Sequence, residues 1–346
     1  MQAMMLTEYK RLELTDVPQP TVGEKDLLVR IRACGICGSD IHGFDGSSGR
    51  RIPPIIMGHE AAGIVEQIGS AVTQFSVGDR VTFDSMISCG NCSFCRAGKI
   101  NLCDSRRILG VSCDEYRQHG AFAEFVSIPE KIACQVPEGL TLEQAALVEP
   151  VSVAVHAVNL SPFQLGQTAV VIGCGTIGLL CVQSLRARGC GQLFAVDPDA
   201  SRRQRALHQG ADEAFDPGSC DVPAEIAART GGLGAHLALE AVGATDPVKT
   251  AVTVVRKGGA VTLVGNVSPH VEFPLQSVVT REIQLSGTCG SSGEYPECLQ
   301  LMSRGAIQVE PLITAVESLS TGPNWFDRLY AQEAGLLKVI LQPGND

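Results

Sequence analysis

Four cysteines close together in the chain have the residue type and spacing of a metal site. Cys89, Cys92, Cys95 and Cys103 are separated by two, two and seven residues. This spacing lets one short loop surround a single tetrahedral ion, which is typical of a structural zinc site. Four thiolates leave no coordination position for water, so this ion is predicted to fix a loop rather than to take part in a reaction.

A second group of potential metal ligands comes from two other loops. Cys37 lies in the segment GICGSDIH, and His59 and Glu60 lie in the segment GHE. A thiolate, an imidazole and a carboxylate leave one position of a zinc ion open for water or substrate, which predicts a catalytic site. Glu149, which precedes a proline, is a fourth candidate ligand. Taken singly, each residue has a structural alternative: a buried thiol, a core histidine or a surface carboxylate.

A glycine-rich turn between a strand pattern and a helix pattern predicts a dinucleotide site. It follows the apolar run 169–172 and consists of Gly173, Cys174, Gly175, Thr176, Ile177 and Gly178. Glycines at this spacing allow a tight turn and a close approach of the pyrophosphate. Amide groups at the start of the following helix would then face the phosphates.

Asp197 ends the next strand pattern, nineteen residues beyond Gly178. Its carboxylate is predicted to accept hydrogen bonds from the adenosine ribose and to repel the 2′-phosphate of NADP, which favours NAD. Arg202 and Arg203 follow closely and leave NADP as the alternative, because arginines at this place can bind that phosphate.

Composition limits the class of protein. The chain has 346 residues, of which 45% are hydrophobic and 18% are charged, which predicts two globular domains without a disordered tail. A net charge of −10 without a large basic patch argues against nucleic acid as a partner. We expect no membrane span and no signal peptide, and most of the fourteen cysteines are scattered, so the predicted location is the cytoplasm.

The order of predicted elements indicates how these groups are positioned. The first half reads as short strands separated by turns, for example 27–33, 61–68 and 80–83. From residue 168 onward, strand patterns alternate with helix patterns, which predicts an α/β unit with a parallel sheet. The last stretch, from about 291, contains a strand pattern at 336–341 and is predicted to pack on the first domain.

The motifs together resemble a known family almost from end to end. The segments GICGSDIH, GHEAAGIVEQIGSAVTQFSVGDRV, CGNCSFCRAGKINLC, EPVSVAVHA and VIGCGTIGLL are similar to those of zinc-containing medium-chain alcohol and polyol dehydrogenases. The resemblance implies a mostly-β, GroES-like catalytic domain with a structural zinc lobe (1–154, completed by 288–346) and a Rossmann domain (155–287). It further implies two zinc ions per chain, a nicotinamide cofactor and a homodimer or homotetramer formed through the sheet edge at 283–287.

The resemblance also implies roles for single residues. Asp40 would orient the His59 ring, Lys338 would lie near Glu60 and the cofactor phosphates, and Glu149 would bind the metal or hold its water. Ser39 and His42 would relay the substrate proton toward solvent. Main-chain contacts to the nicotinamide are expected from two segments, which contain Val264, Gly265, Asn266, Ser286, Gly287 and Thr288.

The expected reaction is the reversible, NAD-dependent oxidation of a secondary hydroxyl of a polyol, a sugar derivative or a polyol phosphate to a ketone. Glu149 stands where simple alcohol dehydrogenases have a cysteine, which favours the polyol branch. Gly43 and the pair Cys289-Gly290 differ from animal sorbitol dehydrogenases, so sorbitol itself is in doubt. The loop 45–51, DGSSGRR, suits a sugar acid or phosphate unless it is only a surface loop. The alternatives are an amino-alcohol dehydrogenase, such as one for L-threonine, and a catalytically silent zinc- and nucleotide-binding protein.

Overall fold

The computed structural model describes residues 1–344 and divides into two units. Unit 1 contains Met1–Glu149, Tyr295–Arg304 and 309–344, and unit 2 contains Pro150–Glu294 and Gly305–Gln308. The division falls five residues before the first boundary predicted from the sequence and seven residues after the second. No helix within residues 1–344 is long and apolar enough to cross a membrane.

The N-terminal part of unit 1 consists mainly of short strands. The strands are β1 (Gln2–Glu8), β2 (Arg11–Asp16), β3 (Asp26–Gly35), β4 (Ile55–Ile56), β5 (Glu60–Ile68), β6 (Arg80–Phe83), β7 (Met86–Ile87), β8 (Arg107–Ile108), β9 (Val111–Ser112), β10 (Arg117–Gln118), β11 (Phe125–Pro129) and β12 (Ala133–Gln135). The helices are α1 (Gly38–Phe44), α2 (Ser93–Arg96) and α3 (Leu142–Ala146). The strands predicted at 61–68 and 80–83 are therefore confirmed to within a residue.

Unit 2 alternates helices and strands. Its elements are α4 (Val148–Leu160, which starts at the end of unit 1), β13 (Ala169–Ile172), α5 (Thr176–Ala187), β14 (Leu193–Val196), α6 (Ala200–His208), β15 (Glu213–Phe215), α7 (Val222–Arg229), β16 (Ala235–Glu240), α8 (Thr245–Val254), β17 (Val255–Leu263), α9 (Leu275–Thr280) and β18 (Gln284–Gly287). All six strands are parallel, in the order β15-β14-β13-β16-β17-β18. This is the doubly wound, Rossmann-type sheet that the alternating pattern predicted.

The chain then returns to unit 1 with α10 (Tyr295–Ser303), β19 (Ile313–Ser318), α11 (Gly322–Tyr330) and β20 (Lys338–Gln342). Strand β20 pairs with β3, so the central sheet of unit 1 has the order β12-β6-β5-β3-β20-β19, with β11 also paired to β3. Residues from both ends of the chain therefore meet in one sheet.

Aromatic packing holds α1 in place in unit 1. The ring of Phe44, at the end of α1, lies 5.7 Å from that of Phe326 in α11, which in turn lies 5.8 Å from Phe122. All three rings are buried, and Tyr330 packs edge-on against Phe44 and donates a hydrogen bond to Asp45. Burial of such rings contributes about 1.5–3 kcal/mol each, so α1 has a well-determined position.

Candidate active site

Cys37, His59 and Glu60 converge in unit 1. Gly35, at the end of β3, pairs with Glu60, the first residue of β5, so Cys37 two residues later lies beside the start of β5. The sulfur of Cys37, a ring nitrogen of His59 and a carboxylate oxygen of Glu60 all lie within 4.8 Å of one another. His59 and Glu60 are buried, and Cys37 is half-buried. The arrangement brings together the three side chains predicted from two distant loops.

Asp40 lies behind the His59 ring. Its Oδ1 is 3.4 Å from Nδ1 of His59, and its Oδ2 accepts a hydrogen bond from the Cys37 amide. Burial alone would raise the pKa of Asp40, but His59, Arg51 and the Cys37 amide lower that pKa to about 2. An ionised carboxylate this close to an imidazole can orient the ring and raise its basicity, which is the role that the family resemblance implies for Asp40.

Lys338 neutralises Glu60. The ammonium group, on the first residue of β20, donates to both carboxylate oxygens of Glu60 at 2.8 and 2.7 Å and to the carbonyl of Ile36. Both side chains are buried. Burial by itself would lower the pKa of Lys338, but Glu60 and Cys37 raise it, so the ammonium stays charged. The negative charge of Glu60 is thus balanced by a residue from the far end of the chain.

Glu149 is the second residue of α4 and lies near this cluster. It is not one of the three residues whose ligand atoms lie within 4.8 Å of one another. Burial raises the pKa of its carboxyl to about 7, and His59, Glu60 and Lys338 also act on it. A carboxyl with a pKa near neutral pH can bind a metal as a carboxylate or hydrogen-bond to a water molecule, and direct binding or holding the metal's water were the two roles left open for Glu149.

Ser39 and His42 both lie on α1, one turn apart. The Ser39 hydroxyl is 3.5 Å from Nε2 of His59, while the His42 ring is exposed. Within residues 1–344 no hydrogen bond joins the Ser39 hydroxyl to the His42 ring. A relay between them would therefore need a further group, such as a water molecule or a hydroxyl of a bound molecule.

The four-cysteine lobe is built around its sulfurs. All four sulfurs lie within 4.8 Å of one another, and those of Cys89 and Cys95 are 3.9 Å apart. Sulfurs bound to one tetrahedral zinc ion would be about 3.8 Å apart. The Cys89, Cys92 and Cys95 amides donate to the sulfurs of Cys103, Cys89 and Cys92, respectively. Amides of Cys95 and Asp104 lower the pKa of Cys92 to about 6, which favours its thiolate, whereas burial raises the pKa of Cys95 to about 11.

The predicted cofactor-binding residues of unit 2 lie along one edge of the parallel sheet. Gly173, Asp197 and Val264 directly follow β13, β14 and β17, Gly287 ends β18, and Thr288 follows it. Gly173 has a positive φ of 86°, and a side chain at Gly178 would overlap the carbonyl of Gly173. The carboxyl ends of parallel strands are where such sheets bind ligands, so the predicted residues share the expected location.

Asp197 is buried and contacts the glycine-rich turn. Its Oδ2 accepts from the Cys174 amide at 2.7 Å and its Oδ1 from the Asp199 amide at 2.8 Å. A carboxylate has about four acceptor positions, so capacity remains for a ligand. Arg203 donates to the carbonyls of Asp197 and Pro198, whereas Arg202 is exposed.

Glu240 is a buried residue of the same edge that the sequence analysis did not identify. Its carboxylate accepts hydrogen bonds from the amides of Val242 and Gly243, and its carbonyl accepts from those of Val264 and Gly265. It therefore joins the turns after β16 and β17, including the Val264-Gly265-Asn266 segment. A single glutamate at the end of an apolar strand has no distinctive spacing, but its place in an otherwise apolar run was a signal.

Comparison with known proteins agrees with this geometry. Residues 23–138 match the family model of the alcohol dehydrogenase GroES-like domain, and residues 176–304 match that of the zinc-binding dehydrogenases. D-xylulose reductase A from Aspergillus niger is 34% identical to this chain, covering 95% of the chain and 93% of the relative. Sorbitol dehydrogenase from Bacillus subtilis is 30% identical to this chain, and the match covers 100% of the chain and 98% of the relative.

A solved structure is also similar throughout. A zinc-binding dehydrogenase from Sinorhizobium meliloti 1021, bound to NADP, is 33% identical, with a TM-score of 0.92 and 99% of both chains covered. Both family models and these full-length similarities show that the chain belongs to the zinc-containing medium-chain alcohol and polyol dehydrogenases.

Proposed function

We propose that this protein is a nicotinamide-dependent dehydrogenase that reversibly oxidises a secondary hydroxyl of a polyol, sugar derivative or polyol phosphate to a ketone. The observation that carries the proposal is the cluster of Cys37, His59 and Glu60, backed by Asp40 and Lys338. The names of the relatives, a xylulose reductase and a sorbitol dehydrogenase, support a polyol as the substrate class.

When bound, zinc in this cluster supplies Lewis acidity at the hydroxyl to be oxidised, and the nicotinamide supplies a hydride acceptor. The Ser39 hydroxyl lies beside His59 and can accept the substrate proton while it donates its own proton to a bridging water molecule or hydroxyl. That bridging group can pass the proton to the His42 ring, which is exposed to solvent. Asp40 keeps the His59 ring oriented, and Lys338 limits the negative charge at the cluster.

The proposal includes two zinc ions per chain, one in the cluster with Glu149 as a possible further ligand and one in the cysteine lobe. The sulfur positions and amide contacts of the lobe support the second ion. Metal analysis of the purified protein that gives one zinc or none per chain after zinc loading would contradict this assignment.

The activity is tested by NAD and NADP reduction with zinc-loaded protein. The panel contains free pentitols and hexitols, their phosphates, sugar acids, 2,3-butanediol and L-threonine. We expect turnover with polyols or their derivatives. Turnover with L-threonine alone, or none with any compound while both metals are bound, would contradict the proposed substrate class.

NAD is the proposed cofactor because the Asp197 carboxylate would repel the 2′-phosphate of NADP, although the S. meliloti relative was solved with NADP. Replacing Asp197 by glycine is expected to shift the cofactor preference toward NADP. The value of kcat/KM with NADP, divided by that with NAD, should rise by about 10–100-fold, because this factor corresponds to the free energy of one hydrogen bond to a charged group. The same ratio is measured for Asp199→Asn, which keeps the start of α6 capped and should change nothing. Equal ratios in both variants would refute the ribose role.

We also propose that the protein forms a homo-oligomer in the cytoplasm. Strand β18 lies at the edge of the unit 2 sheet, and Leu275, Val279 and Leu285 nearby are 64, 65 and 38% exposed. An unpaired strand with apolar neighbours favours pairing with a second copy. Sedimentation velocity that shows only monomer at micromolar concentration would contradict the oligomer. The cytoplasm is proposed because most of the fourteen cysteines are scattered through the chain, which suits a reducing compartment.

A further inference from the structure

The two arginines of the loop 45–51 have different environments. From the sequence, both were candidates to bind a sugar acid or a phosphate. Arg50 is exposed and fits that interpretation, but Arg51 is only 5% exposed. Arg51 is therefore not a surface side chain: its guanidinium points into the protein, toward the candidate metal site.

The backbone and the stem of Arg51 are held by neighbouring elements. The Ser112 amide donates to the carbonyl of Arg50, and the Ile52 amide donates to the carbonyl of Ser112, so the segment is attached to β9. The stem of Arg51 crosses Gly43 of α1, where a Cβ would overlap Cγ of Arg51 and lie 2.9 Å from its Cβ. Only glycine at position 43 leaves the arginine stem this path.

The guanidinium ends between two residues of the site. Its Nη2 is 3.3 Å from Oδ1 of Asp40 and 3.4 Å from the hydroxyl of Ser39, and its Nη1 donates to the carbonyl of Arg50. Asp40 is fully buried, and its Oδ1 also faces Nδ1 of His59. One oxygen of Asp40 is thus shared between Arg51 and the ring that belongs to the metal cluster.

From this geometry we infer that Arg51 is a positioning residue of the metal site. Arg51 holds Asp40 and Ser39 in the places from which they act on His59, and the absence of a side chain at Gly43 leaves room for its stem. The inference rests on the proposed function. Arg51 does not need to touch substrate: without its cation, the buried Asp40 carboxylate would lose a charge partner and the His59 ring its fixed support. Partners of this kind typically change metal affinity or activity by about 10–100-fold.

The first test measures zinc affinity without any substrate. Arg51→Met keeps an apolar stem but removes the cation, and Arg50→Met is the matched control on the adjacent residue. Competition with a chromophoric chelator is expected to show about 10–100-fold weaker binding at one of the two zinc sites of Arg51→Met, while the cysteine lobe retains its ion. Cobalt substituted into that site should show an altered visible spectrum in Arg51→Met and an unaltered one in Arg50→Met.

A second pair of variants tests the path of the side chain. Gly43→Ala should displace the Arg51 stem and reproduce the loss of zinc affinity, and the double variant Gly43→Ala/Arg51→Met should bind zinc no more weakly than Arg51→Met alone. Arg51→Lys should restore part of the affinity. Gly43→Ala and Arg51→Lys also test the role of Arg51 if the Arg51→Met protein does not fold.

Kinetics distinguish positioning from substrate binding. We expect kcat of zinc-saturated Arg51→Met to fall about tenfold with little change in KM. Unchanged zinc affinity in both Arg51→Met and Gly43→Ala, or a rise in KM alone, would overturn the inference. If the unaltered protein oxidises no polyol, the proposed function fails, but the zinc and cobalt measurements still decide the role of Arg51.

Discussion

Replacement of Cys37 by alanine is expected to lower kcat/KM for polyol oxidation by about a thousandfold or more. Loss of the thiolate leaves His59 and Glu60 as the closest pair of ligands, and Glu60 is already bound at both oxygens by Lys338. Lewis-acid stabilisation by a metal supplies several kcal/mol to a reaction, and each 1.36 kcal/mol corresponds to a factor of ten. The protein should still fold, because Cys37 lies outside the principal core of unit 1.

The measurement combines initial rates with metal analysis. Zinc content should fall from two ions per chain to one, with the cysteine lobe still occupied. Cys113→Ser is the matched control: this thiol is half-buried and donates only to Glu115 near the surface, so both rate and metal content should stay unchanged. A Cys37→Ala protein that retains two zinc ions and normal turnover would remove Cys37 from the site.

Replacement of Cys92 by serine is expected to act on stability instead. Within the lobe 89–103 only Asn101 and Cys103 are buried, and no residue of α2 is. Its conformation therefore depends on the four sulfurs and the ion they would bind. Zinc contributes about 10–16 kcal/mol in small zinc-dependent domains. Since only one lobe is affected here, we expect a loss of about 3 kcal/mol, or about 4 °C in Tm for a chain of 346 residues.

The stability prediction is checked by thermal unfolding and limited proteolysis of the zinc-loaded protein. Cleavage should move to the segment 89–103, and turnover per folded molecule at low temperature should fall much less than stability. Ser93→Ala, at the neighbouring exposed position, is the control. Normal Tm with lost turnover in Cys92→Ser would instead indicate that the lobe takes part in the reaction.

Local spacing made some of these features predictable. The lobe is encoded within one loop, and the glycine-rich turn lies between one strand and one helix, so a short stretch of sequence contains the whole pattern. Asp40 and Lys338 could be assigned only through the family resemblance, because the approach of Lys338 to Glu60 depends on the pairing of β20 with β3. Pairing between strands three hundred residues apart leaves no periodic signal in either strand.

Arg51 and Glu240 show where sequence reasoning fails. An arginine in a loop rich in glycine and serine is usually exposed, and nothing in the sequence shows that Gly43 leaves a path for its stem. Glu240 contacts four backbone amides through its carboxylate and carbonyl, and backbone partners carry no side-chain pattern. In both cases the information lies in the three-dimensional path of the backbone.

The contribution of β20 has a consequence for biosynthesis. The chain emerges from the ribosome N-terminus first, so β3 and β5, which bring Cys37, His59 and Glu60 together, can form while most of unit 2 is still untranslated. Until Lys338 emerges, Glu60 would have no ammonium partner in its buried place, and the edge of β3 that β20 later occupies would be open. The candidate metal site thus reaches its final charge balance only in a nearly finished polypeptide, and a prematurely terminated chain would have an incomplete, aggregation-prone precursor of the site.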